Sequence, residues 1–89
     1  MELVASKQVV KQPVRFRILY NRFGENTQFT FREIEILQVL SRGLLYKEIA
    51  DILGLSLNTV KNHLKKIFRK LKVQNRTEAT VIYLKSEQN

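Results

Sequence analysis

The chain has 89 residues, and its 16 lysines and arginines outnumber its eight aspartates and glutamates to give a formal net charge of +8. This length allows one small hydrophobic core, and the basic excess favours a nucleic acid or an anionic membrane surface as partner. The absence of cysteine excludes disulfides and thiolate metal sites, and no apolar run approaches the roughly 18 residues of a transmembrane helix. Because the N-terminus also lacks the apolar region of a secretory signal, we expect a cytoplasmic protein with no membrane partner.

The N-terminal segment, residues 1–28, contains the only proline and several polar interruptions. Apolar and basic residues alternate over residues 14–18, which predicts a short strand or an extended arm, and Leu19 and Tyr20 break this alternation. Residues 21–26 have the composition of a turn. Three roles fit the segment: an arm that packs on the domain, a basic arm that contacts a nucleic acid, or a linker.

A first helix of about 12 residues is predicted to begin after Thr30. Thr30 and Glu33 have the spacing of a capping box, in which each side chain accepts a hydrogen bond from the other residue's backbone N–H. Gly43 supplies a left-handed stop after the helix. Ile34, Leu37 and Leu40 recur at three-residue spacing on the apolar face, which Ile36 and Val39 widen.

A second, shorter helix is predicted from about Tyr46 to Leu53, and Gly54 ends it. The side chains predicted to be buried are Ile49, Ala50, Ile52 and Leu53. The side chains predicted to face water are Lys47, Glu48 and Asp51. Only Leu55 and Ser56 separate Gly54 from the next helical pattern, so the two helices must cross steeply.

The third predicted helix, residues 56–72, has two distinct faces when it is plotted at about 100° per residue. Ser56 can serve as its N-cap. One face is an apolar stripe of Val60, Leu64, Ile67 and Leu71. The opposite face carries Asn58, Lys61, Asn62, Lys65 and Arg69, and residues 58–72 include six lysines or arginines and no acidic residue. A short turn that joins two helices, the second of them basic on one face, predicts a helix-turn-helix over about residues 45–64 and a helix that reads the DNA major groove.

A fourth helix is predicted to follow Asn75, which stands three residues before Glu78 as an N-cap does before its partner acid. Its apolar residues exceed the number that one narrow stripe requires. Either all of them close the core, or some remain uncovered in a monomer, with Ala79, Val81 and Tyr83 as the candidates.

No pattern in the chain predicts an enzyme, a metal site or a cofactor site. His63 is the only histidine, and one imidazole without a partner forms neither a metal site nor a catalytic base. Glu33 and Glu35 are two apart on a helix, so their carboxylates point about 200° away from each other and cannot act as a catalytic pair.

The sequence from Phe29 to Ala79 resembles the DNA-binding domain of the LuxR/FixJ/NarL (GerE-like) family. The motifs that carry the resemblance are Lys47-Glu48-Ile49-Ala50, Thr59-Val60-Lys61-Asn62-His63 and Arg76-Thr77-Glu78-Ala79. The resemblance implies an all-α, four-helix domain over residues 29–85 that acts in transcriptional regulation and follows an arm or linker over residues 1–28. It also implies a third helix in the major groove of double-stranded DNA and a homodimer formed through the last helix.

The resemblance assigns DNA contacts residue by residue. The side chains expected to contact base edges are those of Lys61, Asn62 and Lys65. Lysine can donate to guanine O6 and N7, and asparagine can pair with adenine N6 and N7. The side chains expected to contact phosphates are those of Lys47, Asn58, Thr59, Lys66 and Arg69. Self-association is expected to involve Ala79 and Tyr83.

Two departures from the family pattern stand out. Leu45 and Tyr46 replace the usual Ser-Asn before the second helix, which removes a capping hydroxyl at an expected cost of about 1 kcal/mol. Residues 1–28 are too few for a receiver or ligand-binding domain, so no sensory domain is expected.

The predicted function is sequence-specific regulation of transcription by a non-enzymatic, nucleoid-associated protein, with RNA polymerase or another regulator as a further candidate partner. The alternative is a protein-interaction module with weak DNA contact.

Overall fold

A computed structural model of the protein describes residues 16–87, which form a two-stranded antiparallel sheet followed by four helices. The elements are β1 (Phe16–Tyr20), β2 (Asn26–Thr30), α1 (Phe31–Leu40), α2 (Tyr46–Leu53), α3 (Leu57–Leu71) and α4 (Arg76–Glu87). The predicted four-helix architecture with a short strand before it is confirmed. The part of the predicted strand or arm that precedes residue 16 lies outside the described residues.

The hairpin continues through the two residues that were expected to end the first strand. Its register pairs Ile18 with Gln28 and Tyr20 with Asn26. Leu19 points into the core, whereas Ile18 and Tyr20 are exposed. Because the outward face of β1 is itself apolar, the alternation that marks a strand is hidden in the sequence at this point.

Asn21 organises the predicted turn between the strands. Its Oδ1 accepts hydrogen bonds from the backbone N–H groups of Phe23, at 2.8 Å, and Glu25, at 3.1 Å. Its Nδ2 donates to the Glu25 carboxylate at 2.9 Å. Asparagine side chains that bond the backbone two residues on favour turns of this kind, and Asn21 does so while buried.

The hairpin is joined to the helices through the core and through the end of α3. Leu19 and Phe29 belong to the buried cluster, with exposed fractions of 2% and 0%. The Arg22 backbone N–H donates to the Leu71 carbonyl at 3.0 Å. A domain boundary at residue 29 stays a prediction, although the core includes Leu19 from the segment before it.

The first two helices have the predicted positions with one misplaced side chain. Helix α1 is 10 residues long, and its capping box joins Thr30 and Glu33 as predicted. Helix α2 runs over the predicted residues and buries Ile49 and Ala50. The prediction of a buried Ile52 is wrong, because Ile52 lies about 60° from Ile49 around the helix and is itself 59% exposed.

The last two helices complete the core. The stripe of α3 is buried as predicted and consists of Val60, Leu64, Ile67 and Leu71. On α4, Ala79 and Tyr83 are buried, with 0% and 4% exposed, whereas Val81 and Leu84 are each 46% exposed. Of the two alternatives for the apolar residues of α4, closure of the core therefore holds for Ala79 and Tyr83, which turn inward, and an uncovered side chain holds for Val81.

Candidate nucleic-acid interface

The face of α3 opposite its buried stripe is polar and basic, and the one exposed apolar residue of the helix, Leu57, lies off this face. Its apolar stripe holds the helix against the core, so the opposite side is directed to solvent. The exposed side chains on this side are Asn58, Lys61, Asn62, Lys65, Lys66 and Arg69. The residues predicted to contact DNA from α3 therefore lie on one accessible surface, with Thr59 half-buried at its edge.

Ser56 and Thr59 fix the start of α3. The Ser56 Oγ accepts the Thr59 backbone N–H at 3.0 Å and donates its own proton to the Thr59 Oγ1 at 2.8 Å. The Thr59 hydroxyl thus already has a donor, and its own proton is available to an external acceptor. A phosphate oxygen is an acceptor of that kind.

The turn between α2 and α3 is tight because Gly54 adopts a left-handed conformation with φ of +67°. The Leu55 N–H donates to the Ala50 carbonyl at 2.9 Å, which closes the end of α2 in the manner of a Schellman motif. This geometry leaves only three residues, 54–56, between the end of α2 and the start of α3. It is the connection that the helix-turn-helix prediction required.

Lys47 is exposed in the first turn of α2, as its predicted role requires. Leu45 has no side-chain acceptor, so the helix lacks the hydroxyl half of a capping box. Glu48 supplies the other half, since its Oε1 accepts the Leu45 backbone N–H at 2.8 Å. Glu48 thus caps the helix without a polar side chain three residues earlier, because a capping carboxylate needs only a backbone donor.

Lys70 is not available to an external anion in the way its place on the basic helix suggested. Its Nζ donates to Glu33 Oε1 at 2.8 Å and to the Gln28 carbonyl at 3.1 Å. It also lies 5.2 Å from the centroid of the Phe29 ring. The helical wheel alone directs Lys70 toward a groove wall or solvent, but its side chain instead ties the end of α3 to α1 and to the hairpin.

Arg76, the first residue of α4, has a structural role that the sequence did not reveal. Its Nη2 donates to the carbonyls of Leu40, at 3.1 Å, and Leu44, at 2.6 Å. Its guanidinium carbon lies 5.3 Å from the centroid of the Tyr46 ring. Arg76 therefore secures the loop before α2, and its guanidinium lies over the Tyr46 ring.

The C-terminal half of α4 is secured by the hairpin. The Arg17 guanidinium carbon lies 5.8 Å from the centroid of the Tyr83 ring, and its Nη1 is 3.4 Å from Glu87 Oε2. Burial, and then the hydrogen bond and charge of Glu87, raise the pKa of Tyr83 above its ordinary value. The two residues predicted for dimerisation, Ala79 and Tyr83, are thus core residues here, and the exposed apolar side chains of α4 are Val81 and Leu84.

Nothing in residues 16–87 brings together a group of His, Cys, Asp and Glu side chains that could hold a metal ion. Glu33 is bound in the capping box, and Glu35 lies 3.5 Å from Arg32 on the same helix. Over the same residues, no helix is both long enough and apolar enough to cross a membrane.

The known proteins that are similar to this chain include bacterial regulators. The chain is 44% identical over 55 residues to the nitrate/nitrite response regulator protein NarP of Escherichia coli, which covers 62% of the chain and 26% of NarP. It is 47% identical over 58 residues to the transcriptional regulatory protein LnrK of Bacillus subtilis, covering 65% of the chain and 26% of LnrK. The chain thus spans about a quarter of the length of these regulators. Both are named as regulators, which agrees with a non-enzymatic protein.

Solved structures include a similar domain. The chain matches the DNA-binding domain in the crystal structure of the anti-activator RapF complexed with the response regulator ComA DNA-binding domain, with a TM-score of 0.61 and 45% identity. That match covers 63% of the chain and 97% of the matched domain. The model of the family described as "Bacterial regulatory proteins, luxR family" matches residues 27–83. The chain therefore belongs to the luxR family of bacterial regulatory proteins.

Proposed function

We propose that the protein regulates transcription by reading a specific double-stranded DNA site with α3 in the major groove, as a homodimer, at the nucleoid in the cytoplasm. The observation that carries this proposal is the exposed face of α3, where cations and amides lie directly opposite the buried stripe. A helix held by one face and polar on the other fits the dimensions of the major groove.

Within this face, Lys61, Asn62 and Lys65 are proposed to contact base edges. All three side chains are exposed: Lys61 and Asn62 lie in the first half of α3, and Lys65 lies one turn further along, just past the midpoint of the helix. In a helix-turn-helix the N-terminal part of the second helix enters the groove. Lys47, Asn58, Thr59, Lys66 and Arg69 are proposed to contact phosphates, which position the protein without reading sequence.

Dimerisation is proposed to use the outward face of α4. Val81 and Leu84 are exposed apolar side chains there, whereas Ala79 and Tyr83 support the interface only indirectly, since both are buried. A two-fold dimer would place two α3 helices on two half-sites, about one helical turn of DNA apart.

Two substitutions on α3 test the proposed DNA contacts. Asn62→Ala should weaken binding to the preferred site by roughly 1–3 kcal/mol and hardly change binding to unrelated DNA, because a base contact is lost. Lys66→Ala should weaken binding to all sequences about equally and should reduce the slope of log K against log salt by about 1, because a phosphate contact is lost. Equilibrium binding to selected and scrambled duplexes over a salt series measures both.

The two variants control each other, since both replace an exposed side chain on neighbouring turns of one helix. Equal proportional losses on both kinds of DNA for Asn62→Ala would mean that Asn62 contacts a phosphate. Unchanged binding in both variants would mean that the basic face is only a solvated surface and would contradict the proposal.

A second candidate function is protein binding. The similar ComA domain is crystallised in complex with RapF, so a domain of this fold can itself be bound by another protein. Two apolar side chains are exposed here, Ile52 on the outward flank of α2 and Leu45 at its N-cap, and a partner could bind there. Selection of bound fragments from random DNA distinguishes the two functions, because an interaction module would enrich no sequence motif.

A further inference from the structure

The outward side of α4 has a groove on each side of Ile82, and Arg22 of the hairpin turn lines both grooves. The first groove, about 270 Å³, is completed by Val73, Thr77, Glu78 and Val81. The second, about 220 Å³, is completed by Tyr20, Asn21, Lys85 and Ser86. The hairpin and α4 therefore form one continuous surface.

This surface includes apolar side chains that the fold leaves uncovered. Phe23 is 65% exposed at the tip of the hairpin, and Tyr20 is 61% exposed beside it. Val81 stands between the first groove and a further groove lined by residues that include Leu40 and Thr80. A ridge with a groove beside it is a shape that can pack against a copy of itself.

The hairpin turn is held in a fixed position. Arg22 is attached to the end of α3 through its backbone N–H, which donates to the Leu71 carbonyl at 3.0 Å. Its guanidinium carbon lies 5.3 Å from the centroid of the Phe23 ring. Both side chains are thus presented by an ordered turn, and they precede residue 27, where the family match begins.

Charge indicates what can bind this surface. Arg22 and Glu78 line the same groove, yet within residues 16–87 neither takes part in a salt bridge. Glu78 Oε1 accepts the Gln74 backbone N–H at 2.9 Å, which leaves its other oxygen free of hydrogen bonds within the described part of the chain. A partner with one acidic and one basic side chain could form a salt bridge with each of these two residues. A second copy of the chain has such a pair, because it carries Glu78 for Arg22 and Arg22 for Glu78.

We propose that the hairpin turn is part of the dimer surface, with Arg22 of one protomer paired to Glu78 of the other. This inference rests on the dimerisation proposed above and adds to α4 an element outside the matched family domain. In a two-fold dimer the Arg22–Glu78 pair occurs twice, so each charge on one protomer has its complement on the other.

Charge reversal in the full chain tests the proposal. Arg22→Glu and Glu78→Arg should each weaken the homodimer at least about tenfold in sedimentation equilibrium, because each places two pairs of like charges in the interface. An equimolar mixture of the two variants should recover dimers of near wild-type affinity, because both pairs in the mixed dimer are again attractive. A fluorescent label on one variant identifies the mixed dimer.

Controls separate pairing between protomers from effects within one. Asp51→Arg makes the same charge change as Glu78→Arg, but at an exposed position on α2. A mixture of Asp51→Arg with Arg22→Glu should therefore form mixed dimers more weakly than a mixture of Glu78→Arg with Arg22→Glu. Circular dichroism checks folding, and Glu78→Gln, which keeps an acceptor for the Gln74 N–H, should weaken the dimer less than Glu78→Arg. Wild-type affinity in both single reversals, or no recovery in their mixture, would overturn the inference.

Binding to a single half-site and to paired half-sites is measured in parallel. A wild-type chain that stays monomeric in solution and on paired half-sites would overturn both the proposed dimer and this inference. A wild-type dimer that is insensitive to the charge reversals would overturn this inference alone. The variants should bind a single half-site as tightly as wild type does, which would show that any change in dimerisation does not come from impaired DNA recognition.

Discussion

Glu33 joins three elements of the domain through one carboxylate. Its Oε1 accepts the Thr30 backbone N–H and the Lys70 ammonium, each at 2.8 Å, and the side chain is only 5% exposed. Burial alone would raise the pKa of Glu33, but the hydrogen bond and charge of Lys70 and the hydrogen bonds of Thr30 together lower it below its ordinary value of 4.5. The ionised form is therefore the one that the fold stabilises.

This pKa makes stability depend on pH in a definite direction. A carboxyl group whose pKa is lower in the folded than in the unfolded chain contributes stability at pH values above its unfolded pKa. That contribution decreases as the pH falls below about 4.5 and through the lower pKa of the folded chain.

Glu33→Gln should lower the free energy of unfolding at pH 7 by about 1–3 kcal/mol, because Lys70 loses its charged partner. The difference from wild type should shrink as the pH is lowered below about 4.5, because the wild-type carboxylate is protonated first in the unfolded chain and then, at its lower pKa, in the folded chain. Urea unfolding at several pH values measures both effects. Glu35→Gln is the matched control, since its ion pair with Arg32 is exposed, and it should change stability by less than about 0.5 kcal/mol. A difference for Glu33→Gln that did not vary with pH would contradict the assignment.

At the scale of elements, the hairpin is part of the folded unit and not an appended arm. Leu19 is in the core, and β2 leads directly into α1 through Thr30, which is both the last residue of the strand and the N-cap of the helix. A domain of this size has a small core, so each buried side chain matters.

Leu19→Ala should therefore lower the free energy of unfolding by about 2–5 kcal/mol, which is typical of a buried leucine. Ile18→Ala, at the adjacent exposed position, should lower it by less than about 1 kcal/mol. Urea unfolding monitored by circular dichroism compares the two. Similar small losses in both variants would restore the interpretation of residues 1–28 as a dispensable arm.

The helices could be predicted because their signals are local. Capping pairs and apolar stripes act over three or four residues, so Thr30 with Glu33 and the stripe of α3 indicate their helices before any tertiary contact is known. The roles of Lys70 and Arg76 could not be predicted in this way, since their partners lie more than 30 residues away along the chain. The exposed face of α3 followed from its buried stripe, whereas the burial of Tyr83 depends on where the hairpin packs.

At the scale of the whole molecule, the basic face of α3 and the outward face of α4 have separate roles in the proposed function. Lysines and arginines dominate the first, and the second offers the exposed apolar side chains of Val81 and Leu84. Substitutions on α4 should therefore alter assembly without altering recognition of a half-site.

Val81→Asp should weaken binding to paired half-sites by about 10–100-fold and change binding to a single half-site by less than about twofold, because linked binding is lost while each α3 remains intact. Fluorescence anisotropy on the two kinds of duplex measures this. Tyr83→Asp should instead weaken both, because Tyr83 is buried and its replacement disrupts the core. Equal losses at both kinds of site for Val81→Asp would indicate that Val81 supports folding and not assembly.

The contact between Arg17 and Glu87 has a consequence for the connectivity of the chain. These residues are 70 positions apart, yet their side chains lie 3.4 Å from each other, so the described chain nearly closes on itself. Ser86, next to Glu87, lines the groove beside Ile82. A fusion partner or tag attached at either end of residues 16–87 would therefore start from the same edge of the domain, beside the surface proposed for the second protomer. We expect such an addition to weaken dimerisation more than it weakens DNA recognition.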